Sequence, residues 1–263
     1  MASKTDSIWA GWAIQGRSIG ALMKRDLMMC YGRDNIGFVW AILEPMILTC
    51  GVMIIWSFSG GSRNGVKVIE LVLTGYMPLT LWRHLTGPVV NLFRNSWALL
   101  YHRQITLLDL TVARQGLEVI ATTAALAIVW STLSVAGLIG EVAQWDLFLL
   151  GWLMMAAIGA GFGALIAALT EVSETVERFI QPIQYLNIPI SGAFFLVDWL
   201  PTWGQNAILY HPLVHCYEVF RAGFFGQAIT THYDIVYFFE VMFVVLFIGV
   251  LSVVAVKAHV RLN

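Results

Sequence analysis

Long apolar stretches separated by short polar segments run through most of the chain. A transmembrane helix needs about 20 predominantly apolar residues, and six stretches approach or exceed that length. They cover residues 36–58, 68–90, 106–139, 147–169, 179–197 and 235–256. We therefore predict an all-α membrane protein with six transmembrane helices, in which residues 34–263 form the transmembrane domain.

The first 33 residues follow a different pattern, because apolar and charged positions alternate there at helical spacing. One face would carry Trp9, Trp12, Ile19, Leu22 and Met23, and the other Arg17, Lys24, Arg25 and Asp26. Such a helix can lie in the membrane interface, with its rings in the acyl boundary and its cations among the phosphates. Residues 1–33 are predicted to form an N-terminal interfacial amphipathic helix; a frayed cytoplasmic tail is the alternative.

The placement of Lys and Arg orients the chain, because cytoplasmic loops carry an excess of both. With the N-terminus inside, only Arg63, Lys67 and Arg221 of the 15 Lys and Arg residues lie outside, and Arg83 lies within a span. The reverse topology would leave most of the positive charge on the wrong side. Both termini are therefore predicted to be cytoplasmic, and residues 198–231 face outward.

Residues 198–231 are too polar to cross a bilayer and too aromatic for an ordinary solvated loop. Two short amphipathic helices that re-enter the membrane interface before the last span would explain both properties. The segment carries Trp199, Trp203, Tyr210, His211, His215, Tyr217 and Arg221. A simple interfacial belt of Trp and Tyr is the alternative interpretation.

The cytoplasmic connection between the second and third spans, residues 93–105, has a helical pattern with an apolar face between charged ends. It carries Arg94, Trp97, Leu99, Leu100, Tyr101 and Arg103. A compact helix of this kind can fill a groove on another protein. An amphipathic connector on the membrane surface fits the pattern equally well.

Composition supports a membrane protein and excludes several chemistries. The chain is 59% hydrophobic and 12% charged, about half the charged fraction of soluble domains, and no basic cluster indicates nucleic acid. Cys30, Cys50 and Cys216 give neither a disulfide framework nor a metal site. There is no P-loop, HExxH or GxSxG motif, so we expect no enzyme activity. The glycines of 159–163 are expected to allow close helix packing.

Several ionisable groups fall within predicted spans, where they are costly and indicate function. They are Glu44, Arg83, His84 and Glu240, with Asp109, Arg114 and Glu118 in the first turns of the long third span. The last three are expected to project into the cytoplasm or to lie inside the protein. Arg83 either pairs with Glu44 or Glu240, or belongs to a cationic path. In the second case nearby aromatic rings could stack on sugar faces.

Three segments carry a resemblance to a known family. These are residues 25–48, 73–85 and 211–226, and the first contains Arg33, Gly37, Trp40, Glu44 and Pro45 at slightly shifted spacing from the family's R-x-G-x-x-W-x-x-x-x-P pattern. With the order of the predicted elements, they resemble the ABC type-2 exporter permeases. Among these the chain is most similar to the capsular polysaccharide export permeases, with O-antigen permeases as close relatives.

The resemblance implies a homodimer in the bacterial inner membrane that encloses a channel at the subunit interface. A separate ATPase subunit, which binds ATP and Mg, would dock on the cytoplasmic helix, and this chain would hold no cofactor. ATP-driven closure would move a lipid-linked anionic polysaccharide to the periplasm, where residues 198–231 would form a gate and meet a co-polymerase-type adaptor.

The same resemblance suggests roles for individual residues. The substrate path would be lined by Trp56, Tyr76, Trp82, Arg83 and His84. The periplasmic gate would include Trp199, Tyr210, His211, His215, Tyr217 and Arg221, of which Arg221 and the two histidines would meet the emerging acidic chain. The ATPase would contact the six residues named above for 93–105. A permease for O-antigen, a teichoic-acid-like glycan or a drug, a glycan-assembly enzyme, and a scaffold remain alternatives.

Overall fold

The structure is a computed structural model that describes residues 4–31, 36–57, 62–63, 66–100 and 105–260. This part of the chain is mostly helical, with one antiparallel hairpin in which Ser62 pairs with Lys67. In chain order the elements are α1 (Lys4–Tyr31), α2 (Ile36–Ser57), β1 (Ser62–Arg63), β2 (Val66–Lys67), α3 (Val68–Thr86), α4 (Leu92–Asn95), α5 (Trp97–Leu100), α6 (Leu107–Val135), α7 (Trp145–Val172), α8 (Glu174–Ile190), α9 (Thr202–Ile208), α10 (Pro212–Phe225) and α11 (Ile235–Val260).

Three helices of the described part are long and apolar enough to cross a membrane. They are Leu107–Val135, Trp145–Val172 and Ile235–Lys257, and a shorter apolar segment, Ile42–Ile55, lies in α2. The three match the predicted third, fourth and sixth spans. The mostly helical membrane fold is thereby confirmed, whereas the total of six spans stays a prediction, because only three helices of the described part are long and apolar enough.

The predicted fifth span, 179–197, has different ends in the structure. The helix α8 begins at Glu174 and ends at Ile190. Gly192 has a φ of +90°, a left-handed conformation that glycine adopts without steric cost and that commonly ends helices. The chain therefore turns here, and residues 191–197 are not part of the helix.

The helix α6 begins at a capping box that also holds α1. Thr106 Oγ1 accepts from the Asp109 N–H at 3.1 Å, and Asp109 Oδ2 accepts from the Thr106 N–H at 3.0 Å. Gln15 of α1 donates to the other oxygen of Asp109 at 2.9 Å, and Leu22 is buried in the cluster that includes Leu107. The N-terminal helix α1 thus packs against α6. Asp109 lies inside the protein, as one of the two expectations had it.

Glycines of α7 allow its neighbours to approach closely, which confirms the packing interpretation of 159–163. A Cβ added at Gly163 would lie 2.4 Å from the backbone oxygen of Leu85 in α3. A Cβ at Gly161 would lie 2.9 Å from Val245 Cγ1 in α11. Ordinary Cβ contacts begin beyond these distances, so only glycine permits the present helix spacing.

The helix α10 runs antiparallel to the first half of α7. A Cβ at Gly223, near the end of α10, would lie 2.1 Å from the backbone nitrogen of Phe148. A Cβ at Gly151 would lie 2.5 Å from the backbone nitrogen of Phe220. The start of α10 consequently lies beside the middle of α7, so that α10 folds back alongside a helix that is long enough to span the membrane.

Candidate functional site

A polar cavity of about 380 Å³ lies between α2, α3, α6 and α8. Its wall contains charged, amide and hydroxyl groups from helices that the sequence assigned to the membrane. The lining residues are Glu44, Tyr76, Thr80, Arg83, His84, Gly87, Pro88, Arg114, Glu118, Gln181 and Gln184. Such groups are costly inside an apolar environment unless they pair or bind something. We therefore take this cavity as the candidate site.

Glu118 is the buried anion of the cavity wall. Its Oε2 lies 2.9 Å from Nδ1 of His84 in α3, and its Oε1 lies 2.9 Å from the guanidinium of Arg114, one turn earlier in α6. The carboxyl group is 2% exposed, so these contacts replace the water that it would otherwise bind. Glu118 thereby fixes the position of two potential cations.

Arg83 remains in the cavity without a carboxylate partner among the described residues, in contrast to Arg114. Its guanidinium lies 5.9 Å from the centre of the Tyr185 ring in α8, within the range of a cation–π contact. The pairing of Arg83 with Glu44 or Glu240 is not observed. Glu44 lines the same cavity, and Glu240 is exposed on α11.

The cavity brings together three of the five residues predicted for the substrate path. Tyr76, Arg83 and His84 line it, whereas the Trp56 side chain lies outside the described residues. Trp82 lines a different, apolar cavity, because consecutive residues of a helix point about 100° apart. A path that includes the Trp82 ring together with Arg83 is therefore not formed in the polar cavity.

The apolar cavity has a volume of about 260 Å³ and lies between α3, α7, α8 and the start of α10. The Trp82 ring packs edge-on against Phe162, with 5.3 Å between the ring centres. The Trp82 indole nitrogen has no hydrogen-bond partner among the described residues. The cavity is lined by Trp82, Phe162, Ile166, Ile180, Ile183, Gln184, Asn187, His211, Pro212 and Leu213.

Sequence reasoning did not identify the contribution of α8 to the two cavities. Gln181 and Gln184 line the polar one, and Ile180 and Ile183 the apolar one. Each pair is separated by three residues and so shares one helix face. The sequence does show that polar and apolar residues occupy different faces of α8. We read this stretch only by its overall apolar length, so the two faces were not recognised.

Outside the polar cavity, both ring nitrogens of His215 in α10 have hydrogen-bond partners. Nε2 lies 2.8 Å from the Leu209 carbonyl oxygen, and Nδ1 accepts from the Asp234 N–H at 3.0 Å. These partners require a neutral ring with its proton on Nε2. Burial lowers the pKa of His215, although the Leu209 carbonyl and the Asp234 carboxylate act in the opposite direction.

Arg221 was predicted to face the substrate at the gate, but its side chain points into the protein. It is fully buried and donates to the carbonyl oxygens of Gly192, Ala193 and Phe195 at 2.8, 2.7 and 2.6 Å. The guanidinium has five donors in a planar fork, which suits several carbonyls at once. Arg221 thus holds the turn that follows α8, and in this conformation it is not accessible to an acidic chain.

Glu218 binds two further segments to α10 by accepting hydrogen bonds from their backbone. Its Oε2 accepts from the His232 N–H at 2.8 Å and its Oε1 from the Val197 N–H at 3.4 Å. Burial raises the pKa of Glu218, while the charge of Arg221 and the two backbone donors act in the opposite direction. His215, Glu218 and Arg221 are spaced three residues apart, and together they tie three loops to one helix.

The remaining predicted gate residues fall into separate environments. Tyr217 is buried beside Arg221, and Trp199 packs against the small cluster of Val66, Leu71 and Leu196. His211 Nε2 lies 2.8 Å from Asn187 Oδ1. Tyr210 is 78% exposed. Tyr210 and His215 line an outer cavity of about 390 Å³, together with Asn206, Leu209, His232, Tyr233, Asp234 and Tyr237.

The predicted cytoplasmic helix over 93–105 is interrupted in the structure. The described part contains the single turns α4 and α5, separated at Ser96, whose φ of −111° is not helical. Arg94 lies 3.7 Å from Glu177 and donates to the Thr170 carbonyl oxygen at 3.3 Å. Trp97 is 40% exposed.

Two other predicted contacts of this segment, Leu99 and Leu100, pack against a buried cluster. Tyr101 and Arg103 lie outside the described residues.

The chain is similar in sequence to several known proteins. The chain is 35% identical to the capsule polysaccharide export inner-membrane protein CtrC of Neisseria meningitidis serogroup B, over 86% of each chain. It is 33% identical to the capsule polysaccharide export inner-membrane protein BexB of Haemophilus influenzae, over 85% of this chain and 84% of the relative. The polysialic acid transport protein KpsM of Escherichia coli is 22% identical, over 91% and 93%.

The sequence profile of the ABC-2 type transporters matches residues 17–225, which include α3, α6, α7, α8, α9 and α10. This match covers most of the chain and both cavities. The chain therefore belongs to the ABC-2 type transporter family.

Proposed function

We propose that the chain is the transmembrane subunit of an ATP-driven exporter that moves a lipid-linked capsular polysaccharide across the inner membrane to the periplasm. Similarity to capsule export proteins of two organisms over more than four-fifths of the chain supports the substrate class. An O-antigen or teichoic-acid-like glycan is the nearest alternative cargo.

The observation that carries the proposal is the polar cavity. It combines hydrogen-bond donors and acceptors, which sugar hydroxyls require, with the cation of Arg83, which has no carboxylate partner in the part of the chain that the structure describes. Tyr76 and Tyr185 add aromatic rings near this cation, and such rings pack on the apolar faces of sugars. An acidic sugar would therefore find a cation, amides and a ring in one place.

The exposed face of α8 supports a homodimer with the channel at the subunit interface. Phe179, Ile183, Tyr185, Leu186 and Ile190 are all exposed on this helix, and Gln181 and Gln184 of the same helix reach the polar cavity. A second copy seated against α8 would cover these apolar side chains and enclose the cavity. Burial of such a patch favours association in a protein interface.

The ATPase subunit is proposed to dock at the cytoplasmic end, on α4, α5 and the neighbouring start of α8. Arg94 already joins α4 to Glu177 there, so a force on this segment would reach α8. In this topology both termini are cytoplasmic and six helices span the membrane. The α9–α10 pair forms the periplasmic gate, which a co-polymerase-type adaptor would contact.

Deletion of the gene in its own host tests the proposal. Capsular polymer is expected to accumulate inside the cell and to disappear from the surface, as measured by antibody staining of intact and permeabilised cells. A plasmid copy should restore export, Arg83→Glu should not, and Lys257→Glu, which changes an exposed cation near the end of α11, should. Normal surface polymer in the deletion strain would contradict the proposal.

A further inference from the structure

The outer cavity of about 390 Å³ lies where the loop before α11 meets the segment after α9. Its wall contains three tyrosine side chains, Tyr210, Tyr233 and Tyr237, and the carboxylate of Asp234. Tyr210 is 78% exposed and Tyr233 37%, so both rings are accessible from outside the protein. Aromatic rings combined with a carboxylate are suited to an ammonium group, which is attracted to the ring faces as well as to the negative charge.

Hydrogen bonds hold this wall in place without occupying the whole carboxylate. The Tyr237 hydroxyl donates to the Tyr210 carbonyl oxygen at 2.7 Å, and the Asp234 N–H donates to His215 Nδ1 at 3.0 Å. Asp234 Oδ1 accepts from the Tyr237 N–H at 3.0 Å and so caps the first turn of α11. Asp234 Oδ2 makes no hydrogen bond or ion pair with any residue that the structure describes, so it is available to a ligand.

Asp234 also gives the cavity a negative charge that no cation of the described wall offsets. His215 is neutral, because one ring nitrogen donates and the other accepts. His232 lines the cavity too, but its ring lies 3.5 Å from the Asp198 carboxylate, which balances any charge that the ring takes up. An anionic group would therefore be repelled here, whereas an ammonium group would be attracted.

The length of α11 places the cavity at the level of lipid headgroups. The span Ile235–Lys257 has 23 residues, which is roughly 34 Å of helix and close to the ~30 Å of the hydrocarbon core. Asp234 immediately precedes this span, so it lies at the boundary between the hydrocarbon and the polar region. Tyrosine rings are enriched at the same level of a membrane.

The turns of α11 that follow the cavity present an apolar face on which hydrocarbon chains can lie. Val236, Phe243 and Phe247 are 69, 66 and 65% exposed. At 100° per residue they lie within about 60° of Glu240 around the helix. Glu240 is itself exposed and forms no ion pair with a described residue. A second carboxylate on this side of α11 further disfavours an anionic lipid.

We propose that the outer cavity binds the headgroup of a membrane phospholipid that carries an ammonium group. The ammonium lies among the three tyrosine rings and against Asp234 Oδ2, and the hydrocarbon chains follow the exposed face of α11. The side-chain amide of Asn206, which also lines the cavity, donates to the phosphate. This inference goes beyond the proposed function and does not depend on the cargo, because it concerns a lipid that stays in the membrane beside the protein.

Binding to the purified full-length protein in detergent, measured by native mass spectrometry, tests the site without requiring transport. The probe is phosphatidylethanolamine, and N-acetyl phosphatidylethanolamine is the matched control because it keeps the phosphate and the chains but has no ammonium charge. Phosphatidylglycerol also lacks the ammonium, and glycerophosphoethanolamine lacks the chains. We expect phosphatidylethanolamine to bind at least about ten-fold more tightly than each control, since one charge-assisted hydrogen bond with cation–π contacts is sufficient for that factor.

Variants with matched controls locate the binding. Asp234→Asn removes the charge but keeps an oxygen that can cap α11, and Tyr210→Leu removes an exposed ring. Both should reduce the affinity for phosphatidylethanolamine towards that for the N-acetyl lipid. Asp146→Asn, at an exposed acid in the first turn of α7, and Trp203→Leu, at a 76% exposed ring of α9, should leave the affinity unchanged. Size-exclusion profiles identify any variant that fails to fold.

Thermal unfolding gives a second measurement, because a ligand that binds only the folded state raises the unfolding temperature. Phosphatidylethanolamine should raise it in the unmodified protein, and the N-acetyl lipid should raise it less. A preference for the ammonium lipid that is lost in both cavity variants and kept in both controls supports the site.

Three results would overturn the proposal. They are equal binding of phosphatidylethanolamine and its N-acetyl derivative, equal binding of glycerophosphoethanolamine, which would indicate a site for a small soluble amine, and an unchanged preference in folded cavity variants. The first two comparisons use the unmodified protein, so they decide the question even where a variant does not fold.

Discussion

The imidazole of His84 and the carboxyl group of Glu118 lie 2.9 Å apart and join α3 to α6 at the wall of the polar cavity. His84 belongs to the predicted substrate path, and Glu118 belongs to the long third span. Because Glu118 also contacts Arg114, it fixes the charge pattern that a ligand meets. Arg83, the residue before His84 in α3, lines the same cavity and has no carboxylate partner among the described residues, so it is left available to that ligand.

Replacement of Glu118 by Ala should destabilise the protein more than loss of an exposed acid. Removing one partner of a buried ion pair costs about 3–5 kcal/mol, because the other charge is left buried without compensation. Glu118→Gln should cost less, since its amide oxygen can still accept a hydrogen bond. Thermal unfolding in detergent measures the difference.

The control is Glu177→Ala, because Glu177 is 36% exposed and pairs with Arg94 at 3.7 Å. A partly exposed pair of this kind contributes about 0–1 kcal/mol. Equal stability of the Glu118 and Glu177 variants would show that the buried pair has no structural role.

Gly163→Ala should destabilise the packing of α7 against α3. The added Cβ would lie 2.4 Å from the Leu85 oxygen and 2.3 Å from Gln115 Nε2, and overpacking of this kind costs about 1–3 kcal/mol. Gly51→Ala in α2 is the matched control, because no heavy atom lies within 4 Å of its added Cβ. The yield of monodisperse protein after mild heating should fall only for Gly163→Ala.

Much of the helical architecture could be predicted from the sequence because it depends on local properties. Apolar length identifies α6, α7 and α11, and small residues at 159–163 identify a close helix contact. These features need no knowledge of which helices are neighbours.

The side-chain roles could not be predicted to the same extent, since they depend on tertiary neighbours. Arg221 is positioned by a turn that starts at Gly192, and nothing in its own segment shows that the turn folds back onto α10. Trp82 and Arg83 are adjacent in sequence, but their side chains point in different directions from α3 and line different cavities. The partners of Glu118 follow from the packing of α3 on α6.

Arg221→Met should impair folding rather than substrate selection. The variant loses three hydrogen bonds from a charged donor, each worth about 1.5–3 kcal/mol, and leaves Glu218 without its neighbouring charge. Arg221→Lys should rescue only part of the stability, because an ammonium group cannot reproduce the planar fork. Normal thermal stability combined with a changed export preference would instead restore the predicted substrate-facing role.

Acidification should loosen the loop before α11 through His215. Its pKa is lowered by burial, so the neutral ring stabilises the fold above its unfolded pKa of about 6.5, and this contribution is lost as the pH falls through the lower folded value. Protonation of Nδ1 would also remove the acceptor for the Asp234 N–H.

Hydrogen exchange of the amides of residues 232–236 measures this effect. Exchange, corrected for its intrinsic pH dependence, should increase between pH 7 and 5 in the unmodified protein. In His215→Phe it should already be fast at pH 7 and should change little with pH. An unmodified protein whose corrected exchange is constant over this range would contradict the role of the neutral ring.

Trp97→Asp should weaken docking of the ATPase subunit without unfolding the chain. Trp97 is 40% exposed on α5, so a carboxylate there remains solvated, and it removes the aromatic anchor that most often dominates an interface. Leu99→Asp is a poorer test, because Leu99 packs against the buried cluster around Leu107. Co-purification of the ATPase and its rate of ATP hydrolysis in the complex are the measurements. Trp203→Asp, which alters a 76% exposed ring on α9, should leave both unchanged; an intact complex with Trp97→Asp would move the docking surface away from α5.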